Sequence, residues 1–130
     1  MRDDAFGVVV EKTNAFVTIA TASCAYNVYQ EWQEAISGMA AVWSTAGAVY
    51  TRNGDAATLS LSRSIEAQIL ESRFAVAAAL RNGGRFCRKY ADAEYRGILS
   101  DFRSPEFGFA RDRARVGIDD VRALPTLPPL

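Results

Sequence analysis

Apolar residues recur along this chain at helical spacing, and Gly, Pro and charged clusters interrupt them at intervals. Between Asn14 and about Ile36 the run NAFVTIATASCAYNVYQEWQEAI holds neither Gly nor Pro, with Asn14 placed to cap its start and Ser37-Gly38 to end it. The pattern predicts one long helix there, although FVTIAT alone would also suit a strand. Met39, Val42, Trp43, Ala46, Val49 and Tyr50 then fall three and four apart, an apolar stripe that RNGD closes. A third helix is predicted over SRSIEAQILESRFAVAAALRN, with Ile65, Ile69, Val76 and Leu80 along one face and Gly83-Gly84 after it. A fourth is predicted from about Arg85 to Phe102. Cys87, Ala91, Tyr95, Ile98 and Phe102 line one of its sides and Arg85, Lys89, Asp92 and Arg96 the other. A loop around Pro105 leads to a short fifth helix near 110–123, closed by LPTLPPL, whose prolines cannot continue it.

These runs predict an all-α fold: a single helical-bundle domain of about five helices over residues 14–123. An N-terminal arm of residues 1–13, with the apolar run Phe6, Val8, Val9 and Val10, is expected before it, and a Pro-rich tail of residues 124–130 after it. At 130 residues the chain suits one domain with a real core, and 49% hydrophobic against 23% charged residues excludes a disordered or collagen-like chain. No apolar run reaches the length of a membrane span, and MRDDAFGVVVEKTNAF carries acids where a signal peptide carries cations, so the expected location is inside a cell.

Candidate chemistry is sparse. Histidine is absent, which removes the commonest general base and the Ser-His-Asp and Cys-His arrangements. Cys24 and Cys87 are the only cysteines, giving no zinc spacing and suiting a reducing compartment. No phosphate-binding Gly-rich loop is present, since RNGGRF lacks the following Lys-Ser/Thr. The acids are mostly interleaved with arginines, as in RDRAR and RKYADAEYR, where charge pairing is the plain role. No catalytic residue, metal or cofactor is expected.

Charge is distributed unevenly. Residues 1–72 carry four cations against eight acids and residues 73–130 eleven against seven, while the whole chain is neutral. Thirteen of the fifteen cations are Arg, whose planar fork suits phosphate oxygens and base stacking. For the fourth helix this leaves two readings. Its outer face is either laced with Arg88–Asp92–Arg96 pairs, or Arg85, Lys89 and their neighbours lie along a polyanion with Phe86 or Tyr90 stacking on bases.

Four segments resemble the coat proteins of flexible filamentous plant RNA viruses, the potexviruses and potyviruses. GRFCRKYADAEYRGIL is similar to the potexvirus RQFCxKYAxxxWNxML segment at Phe86, Cys87, Lys89, Tyr90, Ala91 and Leu99. SPEFGFARDRARVGIDDV resembles the downstream segment in which a Gly-Phe pair, here Gly108-Phe109, precedes an aspartate at the position of Asp119. YQEWQEAI is similar to the potyvirus FxxWYxAV, and AVWSTAGAVYTRNGDA to an Ala-x-Trp, Tyr, Gly-Ser/Thr-Ser segment.

The resemblance implies a subunit that polymerises helically around single-stranded RNA, through its N-terminal arm, in a virion or in host cytoplasm. It implies a strand held by a Ser, an Arg and an Asp. Asp119 takes the Asp position. The family's Arg falls on Gly84, so Arg85, Arg81 or Arg88 would substitute, with Lys89 and Arg115 as further phosphate contacts. Thr58 and Ser60 are the nearest hydroxyls for the Ser. Two other readings stand beside this one. Tyr90 to Glu94, YADAE, fits the export signal of small helical type VII secretion substrates, and the whole chain suits a generic helical-bundle interaction protein.

Overall fold

The computed structural model describes residues 2–19, 26–82 and 87–123. These form five α-helices and one 3-10 turn: α1 (Arg2–Ile19), α2 (Tyr26–Asn53), α3 (Ala56–Asn82), α4 (Arg88–Asp101), the 3-10 turn Pro105–Phe107, and α5 (Gly108–Ala123). The fold is all-α, as the apolar periodicity predicts. The chain's last seven residues, LPTLPPL, and Arg85 and Phe86 lie outside the described residues.

Helix α3 is the spine, with α1 and α2 packed on one side and α4 and α5 on the other. Its predicted stripe is sound: Ile65, Ile69, Val76 and Leu80 are all buried. So are Cys87, Ala91, Tyr95, Ile98 and Phe102 along α4. The junctions follow local chemistry. Gly54 adopts φ +65°, the left-handed conformation that closes α2, and its N–H donates to Tyr50 O at 2.6 Å. Asp55 then caps α3, accepting from Thr58 N at 2.7 Å and from Thr58 Oγ1 at 2.6 Å. RNGD is thus a two-residue turn between long antiparallel helices. At the far junction Arg111 Nη1 donates to Phe102 O and Ser104 O at 2.7 and 2.6 Å, tying α5 to the carbonyls of the bend that follows α4.

Several boundaries differ from the sequence expectation: the run 14–36, expected as one long helix, is divided between α1 and α2, which pack on each other, and α3 starts at Ala56, six residues before the expected SRSIE. Residues 2–19 form one helix where an arm of residues 1–13 is expected, and that helix belongs to the core: Val9 and Phe16 are fully buried. Thr13 Oγ1 donates to Val9 O at 2.6 Å and pairs with Ser72 Oγ at 2.6 Å, while Ser72 accepts from Trp32 Nε1 at 2.8 Å. This chain of hydroxyls ties α1, α2 and α3 together. A further difference is at Ser37-Gly38, which does not end a helix; α2 runs straight through it. A helical glycine costs only about 1 kcal/mol, and Trp32, Ile36, Met39 and Trp43 keep one packed face continuous across it. Burying one large apolar side chain gains about 1.5–3 kcal/mol, so packing decides.

Candidate partner-binding trough

No Cα atom of α2 approaches one of α4 within 8 Å among the described residues, yet both helices pack on α3. The space between them is crossed by large side chains. Tyr29 reaches Glu94, and Trp43 stacks on Phe102 with ring centres 5.2 Å apart. What these rings leave open is a trough in two adjoining parts of about 430 and 490 Å³, with Trp43 and Asp101 lining both.

The first part has Gln33, Ser37 and Ala40 of α2 on one wall and Arg73, Glu94 and Asp101 opposite. Arg73 is the centre of this charged group. Its Nε lies 3.7 Å from Glu94 Oε2 and its Nη1 2.7 Å from Asp101 Oδ2. The guanidinium lies across α4 at Gly97, where an added Cβ would come 2.5 Å from Arg73 Nη2. Glu94 also accepts from the Tyr29 hydroxyl at 2.5 Å. Burial lifts the Glu94 carboxyl above its ordinary range, against the pulls of Tyr29 and Arg73. Burial, with the Glu94 charge adding to it, likewise pushes the Tyr29 phenol far up, so Tyr29 is a permanent donor.

The second part repeats this design. Arg63 Nη1 lies 3.2 Å from Glu66 Oε1 and 3.4 Å from Glu106 Oε1, which joins α3 to the 3-10 turn. Burial raises the Glu66 carboxyl as well. Each Arg is therefore held by two carboxylates, one sunken and one at the rim: Glu94 and Glu66 have side chains 10% and 14% exposed, Asp101 and Glu106 57% and 52%.

The residues singled out from the sequence are placed elsewhere. Arg81 pairs with Asp120 at 3.2 Å, linking α3 to α5. Arg88, half-buried, and Lys89, exposed and 5.1 Å from the centre of the Tyr90 ring, start α4 near it. Arg115 pairs with Asp112 at 3.0 Å and Asp119 is exposed on α5. Thr58 is engaged in capping α3 and Ser60 is exposed beside it. At about 1.5 Å per residue these hydroxyls sit about 34 Å from Arg81, at the opposite end of α3. Among the described residues the expected hydroxyls and Arg81 are therefore far apart within one subunit. Of the YADAE motif, Glu94 is buried and bound to Tyr29 and Arg73.

Cys87 is disulfide-bonded, where reduced thiols are expected; the sequence holds one other cysteine, Cys24, which lies outside the described residues. No described group of His, Cys, Asp and Glu is arranged to hold a metal, and no described helix is long and apolar enough to cross a membrane. The chain matches no protein-family model, no curated protein and no solved structure.

The trough itself is not legible in the sequence. Its charged groups come from positions up to 43 residues apart in the case of Arg63 and Glu106. The available signal was Trp43 on a helix face adjoining small polar residues.

Proposed function

We propose that this chain is a helical-bundle interaction protein whose recognition surface is the trough between α2 and α4. The observation that carries this reading is the shared position of Trp43. It lines both halves of the trough, half-buried and fixed by Phe102 and by an edge contact to Phe107 at 6.3 Å. A rigid aromatic at the centre of a concave, polar-rimmed surface is the usual anchor of an interface. The long, open shape favours a chain segment over a small molecule, which prefers an enclosed pocket.

The test is selection of displayed peptides on the intact protein. Selected sequences should lose binding when Trp43→Ala or Ala40→Gln is introduced and keep it with Val116→Ala, an exposed change on α5. Peptides indifferent to both trough substitutions would end this reading.

A second reading is RNA packaging by a filament-forming coat subunit, supported by the resemblance above and by the placement of Arg81 in the last turn of α3 and of Arg88 and Lys89 in the first turn of α4. Phosphate contacts there would give affinity that falls steeply with salt. Filter binding of single-stranded RNA should then show a slope that flattens by about one unit per phosphate contact removed, as in Lys89→Ala. Negative-stain imaging with and without RNA would reveal the filaments. An unchanged slope and no filaments would exclude this second reading.

A further inference from the structure

We propose that the trough takes a cationic amphipathic segment of a partner protein, with basic side chains flanking an apolar residue seated on Trp43. This rests on the trough being the recognition surface and adds the chemistry of what it recognises.

Charge complementarity carries the inference. Arg63 and Arg73 lie ten residues apart on α3, about 15 Å along the helix axis. Each faces two carboxylates, so the trough presents four carboxylates against two guanidinium groups among these residues. The rim carboxylates, Asp101 and Glu106, are more than half exposed and within reach of an arriving ammonium or guanidinium. An anion meets the opposite situation. The Arg73 guanidinium is engaged on two sides and largely covered, so a phosphate or carboxylate would have to displace an acid to reach it. The Trp43 ring lines both parts beside these charges, packed with Phe102 and Phe107, whose own centres are 5.0 Å apart. An apolar residue of the partner gains from covering that aromatic group, and a basic residue beside it gains from the ring face as well.

Three synthetic helical peptides test the idea, identical in their central Leu residues and carrying Lys, Gln or Glu at the two flanking positions. Isothermal titration into the intact protein should rank them Lys over Gln over Glu, with the Lys peptide weakening as salt rises. Asp101→Asn and Glu106→Gln should each reduce its affinity by up to about fivefold, the limit for an exposed pair, while leaving the melting curve nearly unchanged. Ala40→Gln, neutral and at an exposed position of the trough wall, should weaken all peptides that bind. Preference for the Glu peptide, lost with Ala40→Gln, would overturn the charge assignment and leave the trough as a docking surface. Binding unaffected by Ala40→Gln, or no binding by any of the three, would overturn both.

Discussion

Gly117 shows how much a single methyl group decides in this fold. A Cβ there would lie 2.4–2.7 Å from three atoms of the Tyr95 ring, which α4 presses against α5. Tyr95 is itself buried against Phe74, ring centres 6.3 Å apart, and has no room to retreat. Gly117→Ala should therefore cost about 1–3 kcal/mol by overpacking, read from urea denaturation. Gly97→Ala meets only the end of Arg73 and should cost less while disturbing the Arg73 pairs. Glu94 governs a pH effect at the same scale. Its carboxyl is raised by burial, so the folded state holds the proton more tightly than the unfolded chain does. Its contribution is fully present below the ordinary glutamate range and is lost as pH rises through the raised value. The melting temperature should rise as the solution is taken from neutral to mildly acidic, and Glu94→Gln should remove most of that rise, the rest belonging to Glu66. Asp55 runs the other way. Its hydrogen bonds from Thr58 lower its pKa, so its capping contribution is lost as pH falls through that lowered value.

At the scale of the element, α1 and α2 show where local signals yield to packing. The segment GVVVEKT has three β-branched residues in succession, a poor helical signal by propensity. It is helical because α2 and α3 offer a seat in which Val9 and Phe16 are wholly buried. Deleting residues 1–13 should therefore lower both helical content and melting temperature, a loss of at least about 2 kcal/mol for Val9 alone; circular dichroism unchanged by the deletion would assign the segment to an unpacked arm. Gly38, by contrast, faces open space within α2, with nothing within 4 Å of an added Cβ. Gly38→Ala should stabilise by about 0.5–1 kcal/mol through helix propensity alone, measured by thermal unfolding.

For the whole molecule, the arginine-rich second half is largely consumed within the fold. Arg73, Arg81, Arg96 and Arg115 pair with acids, Arg111 satisfies carbonyls, and Arg113 lies over the Phe74 ring at 4.1 Å. An excess of cations in sequence is thus not an excess of cations directed at solvent. Cys87 adds a covalent constraint to this assembly. Reductant should lower stability by about 2–4 kcal/mol, the usual worth of a disulfide. Untreated protein should resist thiol alkylation in mass spectrometry even when denatured.

The apolar stripes and the breaks at RNGD and around Pro105 are legible in the amino-acid chain alone. Ile65, Ile69, Val76 and Leu80, and the α4 set from Cys87 to Phe102, are legible because helical period is a property of neighbours along one chain. The turn at Gly54-Asp55 is legible for the same reason, since a left-handed glycine and a capping acid act within a few residues. Tertiary structure alone decided that α1 is a packed helix, that α2 ignores Ser37-Gly38, and that Thr58 and Arg81 sit at opposite ends of one helix. It alone made the trough, because Tyr29 and Glu94 are 65 residues apart and Arg73 and Asp101 28 apart. Their meeting depends on the separation of α2 and α4 across α3, and no local spacing along the chain encodes that distance.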